Sequence, residues 1–433
     1  MAPTAGAGLV RAIGARQLTA SIVNSTIGAG IFVLPAVAAA GLGAAAPVAY
    51  VVCAAVMALI VCCVAAAGSR VSLTGGLYAY VEVAFGPYVG FLAGVLYFLM
   101  ATFAVASVSS ALSGSVGALW SAASSPAARA ILIAVLFTGL AAVNIRGVTP
   151  GIRLVETLTV AKLLPLLVLV GGGIWFVNPV YLRWPGIPAA QAIGQAAIVL
   201  IFAFVGLEIA LVPSGEVRDP ARTVPRALFS ALAITTILYL LIQCVAQGLL
   251  GPIMPSFSNA PLAEAASRVL GQSGRLLMLL GAVVSMFGYV AGDMLGSPRS
   301  LFAFAQDGVL PAVVARIHPR FHTPHIAIAI YACSVSALAI SSSFTQLAVL
   351  ANVAALTMYL MCVAASYELQ RRDVRADGGT PFAVPGGPAV PILAAVVILW
   401  LLSSATRREF GVEALVLAVA SMFYLIRKTG GQL

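Results

Sequence analysis

Long apolar runs recur along the whole chain, and they constrain its fold more than any other feature. A membrane-spanning helix needs about 20 consecutive, mostly apolar residues. The 433-residue sequence has room for about twelve such runs joined by short loops. We place them at 17–41, 45–67, 87–119, 128–145, 154–177, 190–214, 228–250, 276–304, 325–343, 346–367, 389–406 and 409–426. The sequence therefore predicts an all-α polytopic membrane protein.

Composition excludes a soluble protein and a nucleic-acid binder. Only 8% of the residues are charged and 61% are hydrophobic, whereas soluble domains carry about 25% charged residues. The net charge of +10 reflects the unequal distribution of basic residues between the two sides of the membrane, not a nucleic-acid partner. Sixteen of the 23 Lys and Arg residues fall on the side of the N-terminus, six fall on the other side, and Lys162 lies inside a span. The positive-inside rule then places both termini in the cytoplasm.

The N-terminal residues and the ratio of arginine to lysine predict a location. Residues 1–16 lack the pattern of a signal peptide, so we expect them to remain as a short cytoplasmic tail. Arginine far outnumbers lysine, which is typical of a GC-rich bacterial genome. We therefore expect a multi-pass protein of the inner membrane.

Two predicted spans contain residues that interrupt a helix. The first has Gly28 and Gly30 before Pro35, and the sixth has Gly206 before Pro213. Each interior glycine costs a helix about 1 kcal/mol, and unwound backbone in a membrane must face protein or a wet cavity. Close helix packing is the alternative for a single Gly-x-Gly.

The positions of the two interruptions favour a transporter. They lie five helices apart, as in an inverted repeat that holds its substrate between two broken helices. Half-helix ends offer N–H groups to an anion and carbonyl groups to a cation. A zwitterion such as an amino acid suits both kinds of end.

Four separated motifs carry a family resemblance, in the same order along the chain. They are Gly28–Phe32 followed by Leu34 and Pro35; Gly75–Tyr80 followed by Phe85, Gly86, Gly90 and Phe91; Phe202–Glu208 followed by Glu216, Asp219, Pro220, Arg222 and Pro225; and Arg299 followed by Asp307, Gly308, Leu310 and Pro311. Together they resemble the amino acid–polyamine–organocation (APC) transporter superfamily. The likeness covers most of the chain.

The resemblance implies a five-plus-five inverted repeat with broken helices 1 and 6, plus two trailing helices. The implied units are a cytoplasmic tail 1–16, a first repeat 17–177, a second repeat 190–367, a cytoplasmic linker 368–388 and the last two helices with a short tail, 389–433. It also implies alternating access around a central site. The implied substrate contacts are Thr26, Ile27, Gly28, Ala29, Gly30, Phe202, Ala203, Val205 and Gly206, with Phe202 as a candidate aromatic gate.

Lys162 is a charged residue near the middle of the fifth span. Such a charge costs about 2.5–3.5 kcal/mol on insertion scales and marks a functional candidate. The resemblance gives it the role of a protonatable surrogate for a coupling cation, bonded to main-chain carbonyls near Gly28. A structural tether to the same carbonyls, without proton movement, is the alternative.

Two carboxylates also fall within predicted spans. Asp293, in the eighth span, either meets a substrate amine, shares a proton with Lys162, or braces two helices. Glu208 follows the second interruption and either caps freed N–H groups, links to a gate, or has a purely structural role. The sequence leaves these alternatives open.

The function that we expect is a secondary active amino acid transporter, with proton-coupled symport first and an exchanger of cationic amino acids or polyamines as the alternative. We expect no enzyme activity, no cofactor and no metal, with a proton as the coupling ion. The expected partners are a small amino acid or amine substrate and the lipid bilayer, without nucleic acid. A channel would need a continuous polar pore and a sensor would need a large output domain.

Overall fold

The computed structural model of the chain describes residues 13–71, 73, 76–147, 152–184, 186–211, 217–306, 310–375 and 380–429. Its helices in that part are α1 Ala15–Thr26, α2 Gly30–Leu42, α3 Ala46–Gly68, α4 Leu77–Phe85, α5 Pro87–Leu119, α6 Pro126–Ile145, α7 Ile152–Gly173, α8 Ala190–Leu200, α9 Leu207–Leu211, α10 Pro220–Leu250, α11 Pro261–Gln306, α12 His325–Ser341, α13 Phe344–Arg371, α14 Ala389–Leu402 and α15 Arg407–Thr429. No strand forms among these residues, and Ile13 and Val217 make one isolated bridge. We call the end of the molecule that holds Ile13 the N-terminal face, and the other end the opposite face.

The predicted all-helical membrane fold is confirmed at this level. In the described part, seven helical stretches are long and apolar enough to cross a membrane, and four more apolar helices have 10–17 residues. Each of the twelve predicted spans overlaps at least one helix. Helices suit this solvent because they satisfy their own backbone hydrogen bonds without water.

Helices α5 and α13 form the centre of the bundle. Two-thirds of the apolar window of each is buried inside the protein, 67% in both cases. They pack on each other, and α5 also packs on α11. By contrast, the apolar windows of α6 and α15 are only 17% and 11% buried, so their side chains face outward, where lipid would lie.

Both predicted interruptions are present. Helix α1 ends at Thr26 and α2 begins at Gly30, with Ile27–Ala29 non-helical between them. Helix α8 ends at Leu200, a 3-10 helix at 201–203 and a turn at 204–206 follow, and α9 begins at Leu207. We call 27–29 the first break and 201–206 the second break.

Two stretches that the sequence suggested were loops are helical. One is α4, which lies between glycines at 76 and 86 whose φ angles are +61° and +88°. The other is the segment 261–270, which Gly271 (φ +62°) separates from the rest of α11. Left-handed glycines commonly terminate helices, and here they mark the boundaries of both short helices.

Helix α13 extends beyond the predicted end of its span at residue 367. It continues to Arg371, into the start of the predicted linker 368–388. The carboxylate of Glu368 accepts hydrogen bonds from Arg371 and Arg372 at 3.0 and 2.7 Å. Such i,i+3 and i,i+4 pairs favour a helical last turn.

Candidate substrate site

The two breaks lie against each other at the centre of the bundle. The hydroxyl of Ser25 donates to the carbonyl of Gly206 at 2.8 Å. Gly206 has φ +130°, and a Cβ there would lie 2.6 Å from the carbonyl oxygen of Ser25. On the other side of the breaks, a Cβ on Gly30 would lie 3.2 Å from the Cα of Ala203. The two interrupted spans therefore approach each other backbone to backbone, and at Gly206 the approach leaves no room for a side chain.

Tyr239 of α10 joins the two breaks with one hydroxyl group. Its Oη lies 3.1 Å from the carbonyl oxygen of Thr26 and 2.8 Å from that of Ala203. Both carbonyls belong to turns where the regular helix stops, so they lack a partner within the helix. A phenol carries one proton, so it donates to one of these carbonyls at a time. The side chain is fully buried.

Asn352 of α13 satisfies carbonyls at the second break. Its Nδ2 donates to the carbonyl of Ile198 at 2.7 Å and lies 3.3 Å from that of Val199. These residues form the last turn of α8, where carbonyls would otherwise be orphaned in an apolar interior. The amide thereby stabilises the end of the half-helix.

Lys162 of α7 reaches the end of the other half-helix. Its ammonium group donates to the carbonyl of Asn24 at 2.5 Å, and the residue is 7% exposed. Asn24 lies in the last turn of α1, whose carbonyls also carry the negative end of the helix dipole. The sequence placed this contact near Gly28, and the structure places it four residues earlier.

The N-terminus of α2 faces the same space from the other side of the first break. The first N–H groups of a helix lack intrahelical partners and carry partial positive charge. The N–H of Phe32 is taken by the carbonyl of Ala29 at 3.0 Å, which tightens the first turn. The centre therefore presents N–H groups from α2 and carbonyl groups from α1 and α8.

The remaining predicted contact residues lie at or beside the breaks. Ile27, Ala29 and Ala203 are at most 1% exposed, whereas Gly28 and Val205 are partly exposed. The ring of Phe202 packs edge-on against Phe344 at the start of α13, with 5.7 Å between centroids. The structure thus brings all nine predicted main-chain contacts together.

Asp293 of α11 is held by two hydroxyl groups. Ser297 donates to Oδ1 at 2.7 Å, and Tyr331 of α12 donates to Oδ2 at 2.6 Å. The carboxylate therefore braces α11 against α12. A carboxylate accepts about four hydrogen bonds, so both oxygens keep the capacity to bind a further donor.

Glu208 lies in the first turn of α9 and is 1% exposed. Its Oε2 accepts a hydrogen bond from Tyr359 of α13 at 2.7 Å, and its Oε1 has no hydrogen-bond partner among the described residues. A negative charge at a helix N-terminus is favourable. The structure therefore links α9 to α13 through this carboxylate.

The two carboxylates belong to one polar region on the N-terminal-face side of the breaks. Tyr97 of α5 lies within electrostatic range of both Glu208 and Asp293. Tyr289, one turn before Asp293 on α11, also lies within electrostatic range of both carboxylates. Its ring lies 3.9 Å from the position that a Cβ on Gly28 would take. Asp293 is thus connected to the first break through Tyr289.

Sequence reasoning missed the donors that hold the breaks. Tyr239, Asn352 and Tyr359 lie in long apolar helices, where one tyrosine or asparagine gives no sign of its partner. The only signal in the sequence is that a polar atom buried inside a membrane bundle needs a hydrogen-bond partner. Recognising which partner required the three-dimensional arrangement.

The comparison with known families agrees with this geometry. The profile of the family described as Amino acid permease matches residues 13–422. This chain belongs to the amino acid permease family. The predicted resemblance to the APC superfamily is thereby confirmed, and the chain is a transport protein of the membrane and not an enzyme.

The names of individual relatives state different substrates. The permease is 27% identical to the methylthioribose transporter of Bacillus subtilis, over 96% of this chain and 93% of the relative. It is 30% identical to the serine/threonine exchanger SteT of the same organism, over 79% and 78%. It is 25% identical to the branched-chain amino acid permease BcaP, over 91% and 88%. These relatives agree on transport and differ in substrate.

Proposed function

We propose that this permease is a secondary active transporter that carries a free amino acid across the membrane by alternating access. The observation that carries the proposal is the contact between the two breaks, where Ser25 bonds Gly206 and Tyr239 bonds Thr26 and Ala203. Half-helix ends that meet in the bundle centre offer donors and acceptors at fixed positions. An α-amino acid carries one group of each complementary kind.

Recognition would use mainly the backbone. The substrate carboxylate would bind the N–H groups at the start of α2, around Gly30, where the helix dipole favours an anion. The ammonium group would bind carbonyls at the ends of α1 and α8. Such contacts recognise only the carboxylate and ammonium groups that all amino acids share. Selectivity would therefore come from side chains around the breaks, with Phe202 as the aromatic gate.

We place the proton on Lys162. A charged donor makes a stronger hydrogen bond than a neutral one, so protonated Lys162 holds the Asn24 carbonyl and thereby the end of α1. Loss of the proton would weaken this hold and free α1 to move. Substrate binding at the first break and proton binding at Lys162 would then favour the same arrangement of α1, which is the requirement for symport.

An exchanger of cationic amino acids or polyamines is the second candidate. Asp293 and Glu208 both lie near the breaks, and the structure pairs neither with a lysine or arginine within the described residues. A substrate with an additional ammonium group would compensate that charge. In this case Asp293 binds the second positive charge of the substrate, and transport needs no driving ion.

We further propose the topology that the charge distribution predicts. Both termini lie in the cytoplasm of a bacterial inner membrane, and the units 17–177 and 190–367 form the two inverted repeats. The N-terminal face is then cytoplasmic. The opposite face, which holds the exposed Trp175, is external.

Uptake by proteoliposomes tests these proposals. We would offer labelled serine, threonine, leucine, arginine, putrescine and methylthioribose, with an inward proton gradient, an inside-negative potential, or neither. Gradient-driven accumulation that is lost in Lys162→Ala supports symport. Uptake that requires a preloaded second solute supports exchange, and uptake of methylthioribose alone would exclude an amino acid substrate.

A further inference from the structure

Four polar residues recur at every fourth position of α10. They are Thr235, Tyr239, Gln243 and Gln247, and each is at most 2% exposed. An i,i+4 spacing places them along one face of the helix. With a rise of 1.5 Å per residue the four span about 18 Å, which is more than half of a hydrocarbon core of about 30 Å. We call these four residues the α10 polar stripe.

Most polar atoms of the stripe have no partner in the protein. Within the described residues, no hydrogen bond reaches Thr235 Oγ1, either amide atom of Gln243, or Gln247 Oε1. The hydroxyl of Tyr50 on α3 is also unpartnered, and its ring packs edge-on against Tyr239 with 6.4 Å between centroids. Each such buried group costs about 1–3 kcal/mol if it stays unpaired.

Buried polar groups in native proteins are almost always hydrogen-bonded, to protein or to ordered water. Successive members of the stripe are about 6 Å apart along the helix axis, a gap that one or two water molecules fill with normal hydrogen bonds. Gln243 can both donate and accept, as can Thr235 and Tyr50. The stripe therefore has the chemistry and spacing of a chain of water sites.

The stripe connects the opposite face with the breaks. At one end, Gln247 donates to the carbonyl of Gly251 at 3.3 Å, where α10 stops and Ile253 is 48% exposed. In its middle, Tyr239 bonds the carbonyl of Thr26, two residues after the carbonyl that holds Lys162. The route thus runs from the end of α10 to the last turn of α1, where the Asn24 carbonyl accepts a hydrogen bond from Lys162.

We propose that water molecules along the α10 polar stripe conduct protons between the opposite face and Lys162. The inference rests on the proposed proton coupling and adds its route. A proton enters as hydronium, passes by exchange of O–H bonds along the waters, and forms an N–H bond on the neutral amine of Lys162. No group is oxidised or reduced. Besides Lys162, the titratable side chains at the route include Tyr239 of the stripe itself and Tyr50 of α3, whose ring packs against it.

Gln243→Leu tests the route, because leucine has a similar volume and no polar atom. The matched control is Gln272→Leu, which alters an exposed glutamine of α11. We would reconstitute each variant, measure accumulation driven by a proton gradient, follow internal pH with a trapped dye, and measure counterflow of the same substrate without a gradient. Thermal stability in detergent checks the fold.

The expected result separates proton movement from substrate movement. Gln243→Leu lowers gradient-driven uptake and the pH signal about tenfold, equivalent to about 1.4 kcal/mol in a barrier, while counterflow stays within about twofold. The protein melts no earlier, since unpaired polar atoms have been removed. Thr235→Val and Gln247→Leu serve as further variants if Gln243→Leu does not fold.

Three outcomes overturn the route or its basis, and they are distinguishable. Equal proton-driven uptake in Gln243→Leu and the unmodified permease excludes the stripe as the path. Equal loss of counterflow and proton-driven uptake assigns Gln243 a structural role instead. Counterflow by the unmodified permease without any pH signal excludes proton conduction alone, whereas absence of counterflow for every amino acid overturns the proposed function.

Discussion

The ammonium group of Lys162 donates a hydrogen bond to the main-chain carbonyl of Asn24, across 138 positions of sequence. This contact joins the middle of α7 to the end of the half-helix α1. A charged donor at a helix C-terminus is favoured by the dipole as well as by the hydrogen bond. Under the proposed proton coupling, loss of one proton from Lys162 would weaken its hold on α1.

Replacing Lys162 with alanine removes both the charge and the donor. We expect loss of accumulation driven by a proton gradient. We also expect the free energy of unfolding to fall by about 1.5–3 kcal/mol, the contribution of a hydrogen bond to a charged group. Paired measurements of uptake and counterflow check this. The Lys162→Arg variant keeps the charge permanently, so it is expected to bind substrate without proton-driven cycling. Full proton coupling in either variant would leave Lys162 as a structural tether.

Tyr239→Phe removes the hydroxyl that joins both breaks while keeping the aromatic ring. The carbonyl of Ala203 then loses its tyrosine donor, or that of Thr26 keeps only the N–H of Gly28 at 2.9 Å. A buried acceptor left unpaired costs about 1–3 kcal/mol. We expect a lower melting temperature and slower transport. The matched control is Tyr88→Phe, whose hydroxyl makes an exposed hydrogen bond to Ser421. An equal small effect of both substitutions would show that the Tyr239 hydroxyl has no special role.

Gly206→Ala tests the contact between the breaks. The new methyl group would lie 2.6 Å from the Ser25 carbonyl, at a φ of +130°, so the first break must move. We expect loss of substrate binding in a thermal-shift assay and loss of transport. Gly43→Ala is the control, because its φ is also positive (+56°) but nothing lies within 4 Å of the new Cβ. It separates backbone strain from the clash, and equal loss in both would attribute the effect to strain alone.

Asp293→Asn decides between a substrate contact and a helix brace. The amide keeps an acceptor for Ser297 or Tyr331 but has no charge to offer an ammonium group. If Asp293 reads a second positive charge, uptake of arginine and putrescine falls about tenfold or more, the cost of a lost charged contact, while leucine uptake persists. Tyr331→Phe supplies the control, because it breaks the same brace and retains the carboxylate. Unchanged uptake of the cationic substrates would end the substrate-amine role for Asp293.

The sequence predicted the breaks and the exceptional residues at the centre better than it predicted their partners. Gly28, Gly30 and Gly206 stand out because glycine weakens a helix, and Lys162 stands out because charge is rare in a span. Both signals are local. The residues that satisfy the freed carbonyls, Tyr239 among them, are ordinary members of apolar helices, and long-range packing alone selects their partners.

The same reasoning explains the errors in the loops. The stretches 68–86 and 251–275 lay between predicted spans, and the structure places a short helix in each, bounded by left-handed glycines at 76, 86 and 271. The predicted linker begins at residue 368, yet Glu368 and its two arginine partners extend α13 to Arg371. Local composition locates the ends of such elements less well than it locates a buried span.

The segment between α13 and α14 is fastened to the N-terminal face through Phe382. Its N–H donates to Ser69 Oγ at 3.0 Å, and its carbonyl accepts from Arg70 at 2.8 Å. Its ring packs 5.9 Å from that of Phe229 on α10. These contacts hold the segment against the end of α3 and against α10.

Arg70→Gln is expected to loosen that attachment, since it replaces a charged donor whose hydrogen bond contributes about 1.5–3 kcal/mol. The main chain at Phe382 should then separate from the end of α3 more often. Limited trypsin digestion measures this, because arginines 371, 372 and 375 are exposed and cleavage there requires local opening. Faster cleavage in Arg70→Gln than in Arg183→Gln, a control with an exposed arginine on the opposite face, supports the attachment. Equal cleavage rates would mean that the Ser69 hydrogen bond and the Phe229–Phe382 ring contact hold the segment without Arg70.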